Sequence, residues 1–265
     1  MTSTISIRPR SPEPEAKPIK VPPNRGAAGP SVPQTFPAEQ YRVLAHMVEQ
    51  LATAGRTVIA ISSAVGGDGK TTTALNLART LSRGGGAQVL LIDADLRRGS
   101  IGERLGIVRS SGRGLAGALS DPACSIDAVV KRLPTASLCV LPAGVCPPRP
   151  YEALRSLRVG ELLHEARVSY DYVLVDTPPI VPVADVRALT QWVDGIILVV
   201  TAHYTPRELL DEALSALPPE KVIGIVFNGD DQPLSGPYRH YYNYYAEPRP
   251  KPGFWASLLG SGAGR

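Results

Sequence analysis

Residues 64–73, Ala-Val-Gly-Gly-Asp-Gly-Lys-Thr-Thr-Thr, constrain this chain more than any other stretch. They lie between the apolar run Thr57-Val-Ile-Ala-Ile-Ser-Ser63 and the helix-favouring Ala74-Leu-Asn-Leu-Ala78. A buried strand, a glycine loop and a helix start therefore follow one another. Glycines 66, 67 and 69 carry no side chain to hold a polyphosphate away, and they permit backbone angles that turn successive N–H groups inward. The helix adds its positive N-terminal end, Lys70 adds a mobile cation, and the Thr71 hydroxyl is placed to ligate Mg²⁺. The stretch reads as a phosphate-binding loop with Ala64 in the usual first-glycine position. Its candidate nucleotide-binding residues are Gly66, Gly67, Asp68, Gly69, Lys70, Thr71 and Thr72. A glycine turn that binds nothing is the alternative, and the strand-loop-helix context argues against it.

Two further strand ends carry acids. Gln88-Val-Leu-Leu-Ile-Asp93 is apolar and strand-like, and finishes in Asp93-Ala-Asp95-Leu-Arg97-Arg98. Residues two apart on a strand face one side, so Asp93 and Asp95 can both point into the space above the phosphate loop. Two carboxylates there are costly without a cation, which favours Mg²⁺ and catalysis over a polar turn. Tyr172-Val-Leu-Val-Asp176-Thr-Pro-Pro179 repeats the arrangement, placing Asp176 where it can hold a metal's water shell. Buried strands at Ser137–Leu141, Ile196–Val200 and Val222–Asn228 alternate with helical patterns. One of these is expected over Tyr151–Arg167 with Leu154, Leu157, Leu162 and Leu163 inward, another over Pro206–Leu217. The fold class is therefore α/β, a doubly wound and mostly parallel sheet with its ligand at the carboxyl edge of the strands.

The flanks differ in composition. Residues 1–37 hold nine of the chain's 26 prolines and almost nothing to bury, so they read as an extended, disordered arm. The folded domain is expected over 38–229. It begins with a helix whose Leu44, Met47, Val48 and Leu51 share one face; Glu39 and Arg42 lie off that face as a solvated pair. Residues 230–265 form a polar tail holding Tyr238, Tyr241, Tyr242, Tyr244 and Tyr245, five of the chain's ten tyrosines. Phenols massed without aliphatic partners suit phosphate acceptors better than a stacking platform for bases, which would sit in a strongly basic groove. The net charge of +4 is too mild to argue for nucleic acid. Cys124, Cys139 and Cys146 are odd in number and lack a C-x-x-C pair, as suits reduced thiols in the cytosol. No leader-like apolar core follows Met1, and the longest apolar stretch, Gly195–Val200, is far short of the ~18 residues that span a bilayer.

Taken together, these motifs resemble the bacterial tyrosine kinases (BY-kinases) of capsule and exopolysaccharide systems, over roughly Ala38–Tyr245. Ser63–Thr72 is similar to that family's Walker A motif and Leu90–Arg97 to its Walker A′. Val173–Pro179 is similar to its Walker B motif, and the tyrosine cluster to its autophosphorylated tail. The resemblance implies a P-loop NTPase of the partitioning-ATPase-like group that uses ATP and Mg²⁺ as an autokinase on its own tail. It gives Lys70 and Thr71 the β/γ-phosphates and the metal, Asp95 and Asp176 metal support, Asp93 the incoming phenol, and Asn228 the base. It implies a separate transmembrane co-polymerase as activator at the inner face of the cell membrane, a protein-tyrosine phosphatase, and self-assembly. The family's E-x-x-R-x-x-R ring helix matches Glu39 and Arg42 but meets Ala45 at its last position. Two rivals share the loop: a nucleotide-switched scaffold, and a partitioning-type ATPase, whose signature lysine would stand at Val65.

Overall fold

The computed structural model describes residues 19–21, 36–84, 86–107, 114–134 and 137–229. The chain divides into Met1–Asp230 and Asp231–Arg265, and every described residue lies in the first unit. Alternating strands and helices build an eight-stranded sheet. Its strands are β1 (Ile19–Val21), β2 (Val58–Ser63), β3 (Val89–Asp93), β4 (Lys131–Arg132), β5 (Leu138–Leu141), β6 (Tyr172–Asp176), β7 (Gly195–Thr201) and β8 (Val222–Asn228). Their order across the sheet is β1-β8-β7-β2-β6-β3-β5-β4, with every pair parallel except β4–β5. The two-residue antiparallel β4 closes one edge.

β2, β3 and β5 are buried along their whole length, as strands covered on both faces must be. Alternate residues feed opposite cores. Ile59, Ile61, Val89 and Leu91 pack beneath α1 (Phe36–Thr53) and α2 (Lys70–Arg83). Val58, Ala60, Leu90 and Ile92 join the other core, which is covered by α4 (Leu115–Ser120), α5 (Pro150–Arg155), α6 (Leu157–Ser169), α7 (Asp185–Leu189) and α8 (Arg207–Ser215). The short α3 (Ile101–Arg104) lies just beyond Asp95.

Two expectations are corrected. Ile19–Val21, inside the arm expected to be disordered, pairs in parallel with Val226–Asn228. β8 would otherwise be an edge with a row of unpaired N–H and C=O groups, and three residues of extended chain satisfy part of it. The single helix expected over Tyr151–Arg167 is broken at Ser156, whose extended backbone (φ −63°, ψ 150°) separates α5 from α6. Leu157, expected inward, is 75% exposed. It lies five residues before buried Leu162, about 140° around the helix, so the face that buries Val159, Leu162 and Leu163 turns Leu157 to solvent.

Candidate functional site

β2, β6 and β3 are neighbours at the centre of the sheet, and their carboxyl ends carry the phosphate loop, Asp176 and Asp93. The loop departs from β2 after Ser63 and enters α2 at Lys70. Gly67 (φ 98°) and Gly69 (φ 87°) occupy the left-handed region on either side of Asp68, the alternation that turns neighbouring N–H groups toward one point. A side chain at Gly69 would collide with the Asn228 amide. Asp68 is fully buried: Oδ2 accepts from the Val65 N–H at 3.3 Å and Oδ1 from the Thr205 hydroxyl at 2.6 Å. Its carboxylate is thus taken up by hydrogen bonds within the protein. Asn228, at the end of β8, donates its amide to the Asp68 carbonyl at 3.0 Å.

Asp93 and Asp176 end adjacent strands, whereas Asp95, expected two along the same strand, stands in the turn beyond β3. Asp93 and Asp176 are direct partners in the β3–β6 register. Asp93 accepts the Asp95 N–H at 3.2 Å through Oδ1 and the Ile101 N–H at 3.0 Å through Oδ2, which fixes its carboxylate orientation. Asp95 accepts the Arg98 N–H at 2.9 Å and stands 3.7 Å from the Lys70 ammonium. Asp176 is 1% exposed, and its Oδ1 has no hydrogen-bond partner among the described residues. Burial pushes the Asp176 carboxyl up to about 7, opposed by the Lys70 charge and raised further by Asp93. Burial also raises Asp93, to about 6, against the stabilising Ile101 N–H and with repulsion from Asp95. Facing carboxyls that resist ionisation, one with an orphaned oxygen, are a place where a cation would restore the charged forms.

A metal fits here only in part by direct ligation. Among the described residues no three acidic, histidine or cysteine side chains are grouped to enclose an ion. Mg²⁺ keeps several waters and takes one or two protein oxygens plus phosphates. Thr71 would supply an oxygen, and Asp95 and Asp176 would hold the water shell.

Several contacts had no signature in the sequence. Arg97 grips Asp185 of α7 with two bonds, Nε to Oδ2 at 2.8 Å and Nη2 to Oδ1 at 3.2 Å, so the turn after Asp95 is tied to a distant helix. Arg104 donates to the Thr72 hydroxyl at 3.0 Å, bringing a guanidinium to the mouth of the loop. Thr205 belongs to no motif; its contact with Asp68 spans 137 residues. Glu39 and Arg42 form an exposed pair at 2.6 Å on α1, while Ala45 is buried at 4% exposure. Tyr238, Tyr241, Tyr242, Tyr244 and Tyr245 lie outside the described residues.

The family described as AAA domain matches residues 56–214. The tyrosine-protein kinase YwqD of Bacillus subtilis is 36% identical over 213 residues, covering 79% of this chain and 88% of that protein. The succinoglycan biosynthesis transport protein ExoP of Rhizobium meliloti is 34% identical over 238 residues, 81% of this chain but 29% of that longer protein. Among solved structures, the VpsO kinase domain superposes with a TM-score of 0.65 at 31% identity, covering 72% of this chain and 95% of that one. With a strand-borne phosphate loop, paired acids on the adjoining strands and this kinship over most of its length, the chain belongs to the bacterial tyrosine kinase family.

Proposed function

We propose that this protein is an ATP-dependent protein-tyrosine autokinase that phosphorylates Tyr238, Tyr241, Tyr242, Tyr244 and Tyr245 and so regulates polysaccharide synthesis and export. The observation that carries the reading is the convergence of Lys70, Thr71, Asp93, Asp95 and Asp176 on three adjacent strand ends. The loop N–H groups and α2 bind the phosphates, and Lys70 stabilises charge developing on the transferred group. Mg²⁺, when bound, neutralises the β- and γ-oxygens. Asp93, fixed by two backbone N–H groups, is oriented to accept the phenol proton as the tyrosine oxygen attacks phosphorus and ADP leaves. The Asn228 amide borders the loop, and the resemblance gives it the base.

A role in polysaccharide systems is supported by kinship with ExoP, named a succinoglycan biosynthesis transport protein. No helix among the described residues is long and apolar enough to cross a membrane. As the family resemblance implies, the reading includes a separate transmembrane co-polymerase that recruits and activates the kinase at the membrane's inner face, and a phosphatase that reverses the modification. Glu39 and Arg42 offer a charged helix surface for self-assembly, through which one subunit's tail reaches its neighbour's site.

Incubating the full chain with ATP and Mg²⁺ and mapping phosphate by mass spectrometry tests this. Phosphotyrosine within 238–245 is expected, and none in Lys70→Met, whose circular dichroism should still be that of a folded protein although it loses the ion pair to Asp95. Phosphate release without phosphotyrosine would turn the reading into a partitioning-type ATPase, and phosphotyrosine in Lys70→Met would refute the site.

A further inference from the structure

The turn from β7 to α8, Thr201–Pro206, lies against the phosphate loop, and the bonds it makes there are not those of an ordinary helix start. A threonine just ahead of a helix commonly caps it by accepting from a backbone N–H of the first turn. α8 has no side-chain cap. The Thr205 hydroxyl accepts instead from the Thr201 N–H at 3.0 Å, within its own turn, and donates to Asp68 Oδ1 at 2.6 Å. Its one proton is therefore committed to the phosphate loop.

Asp68 is the only side chain between the two left-handed glycines, Gly67 and Gly69. Any peptide flip that relaxes the inward-facing N–H groups must swing the Asp68 backbone. That backbone is held from three sides: Thr205 and Val65 on the carboxylate, and the Asn228 amide on the carbonyl. The turn that supplies Thr205 is itself closely specified. His203 adopts φ 60°, a conformation a non-glycine residue keeps only when its surroundings require it, and Tyr204 covers Gly67, its phenol oxygen 3.4 Å from where a Cβ would stand. Ala202 N–H donates to the Asn228 carbonyl at 2.8 Å, joining the turn to the other element that holds Asp68.

We propose that Thr205 is a positioning residue for nucleotide binding: through Asp68 it holds the phosphate loop in its anion-receiving form before the nucleotide arrives. The inference rests on reading that loop as the nucleotide site. A loop already ordered spends less of its binding energy on ordering, so the effect belongs in affinity for the phosphate chain. Asp68, a nucleotide-binding candidate by its position in the motif, acts through its brace.

The test uses the full chain with Mg²⁺ and a fluorescent nucleotide, mant-ATP, alongside thermal melts. Thr205→Val removes the hydroxyl at nearly constant shape and leaves a buried carboxylate short of one donor, so mant-ATP affinity should fall about tenfold. Thr205→Ser keeps the hydroxyl and should bind within about twofold of wild type. A purely structural role would lower the melting temperature of Thr205→Val yet leave the affinity of the folded protein unchanged. Equal mant-ATP affinity in Thr205→Val and wild type overturns the proposal. If Thr205→Val does not fold, Asp68→Asn, which replaces the carboxylate facing Val65 and Thr205, must show the same selective loss, and unchanged affinity in it overturns the proposal equally. Failure of the wild type to bind mant-ATP would instead remove the nucleotide site itself, and this inference with it.

Discussion

Replacing Asp176 by asparagine should stabilise the metal-free protein at alkaline pH while ending phosphotransfer. Asp176 is 1% exposed, faces Asp93 across paired strands, and has a carboxyl pushed up to about 7 from an ordinary 3.8, chiefly by burial. A group whose folded pKa is raised holds its proton more tightly in the folded state, so its contribution falls as pH rises from the unfolded pKa to the folded one. Each unit is worth about 1.4 kcal/mol. Going from pH 5 to pH 8 crosses the window between 5 and about 7, so the wild type loses about 3 kcal/mol through this group alone. Asparagine is neutral throughout. Relative to wild type, Asp176→Asn should therefore gain about 3 kcal/mol more at pH 8 than at pH 5, or about 6–12 °C in melting temperature for a domain this size. Melts followed by circular dichroism in EDTA, at both pH values and for both proteins, measure the difference. A gain equal at the two pH values, or a lower melting temperature at pH 8, would refute the claim that an uncompensated buried carboxyl strains this edge.

The neighbouring acid should behave differently. Asp93→Asn should cost about a hundredfold or more in phosphotransfer and leave mant-ATP affinity within about threefold, since proton acceptance and not nucleotide contact is its role; matched losses in both would refute that division. In the wild type, kcat/KM should decline as pH falls through about 6, where Asp93 of the free enzyme takes up its proton, and a flat kcat/KM profile from pH 5 to 8 would count against Asp93 as base. Arg97→Ala strips the partner from the Asp185 carboxylate, 1% exposed, and should lower stability by about 2 kcal/mol, less than a fully buried pair because Arg97 is 43% exposed. An unchanged urea midpoint would show that the pair holds nothing in place.

Much of the site was legible because its parts are local. Strand, glycine loop and helix start are contiguous at 57–78, and each strand-end acid follows directly on its own apolar run, so period and punctuation were enough to place them on one edge. Parallel strands covered on both faces must be continuously apolar, and that is how β2, β3, β5 and β7 read. Tertiary structure alone decided the rest. Strand order made Asp93 and Asp176 face one another, and no spacing in the chain encodes which strands become neighbours. The break at Ser156 came from packing that turned α6 onto Val159 and Leu162 in place of Leu157. Asp68, by sequence one more residue of the motif, was turned inward by a threonine 137 positions away. Such a contact leaves no period, cap or turn signal in the chain, because it exists only after β7 and β2 have paired.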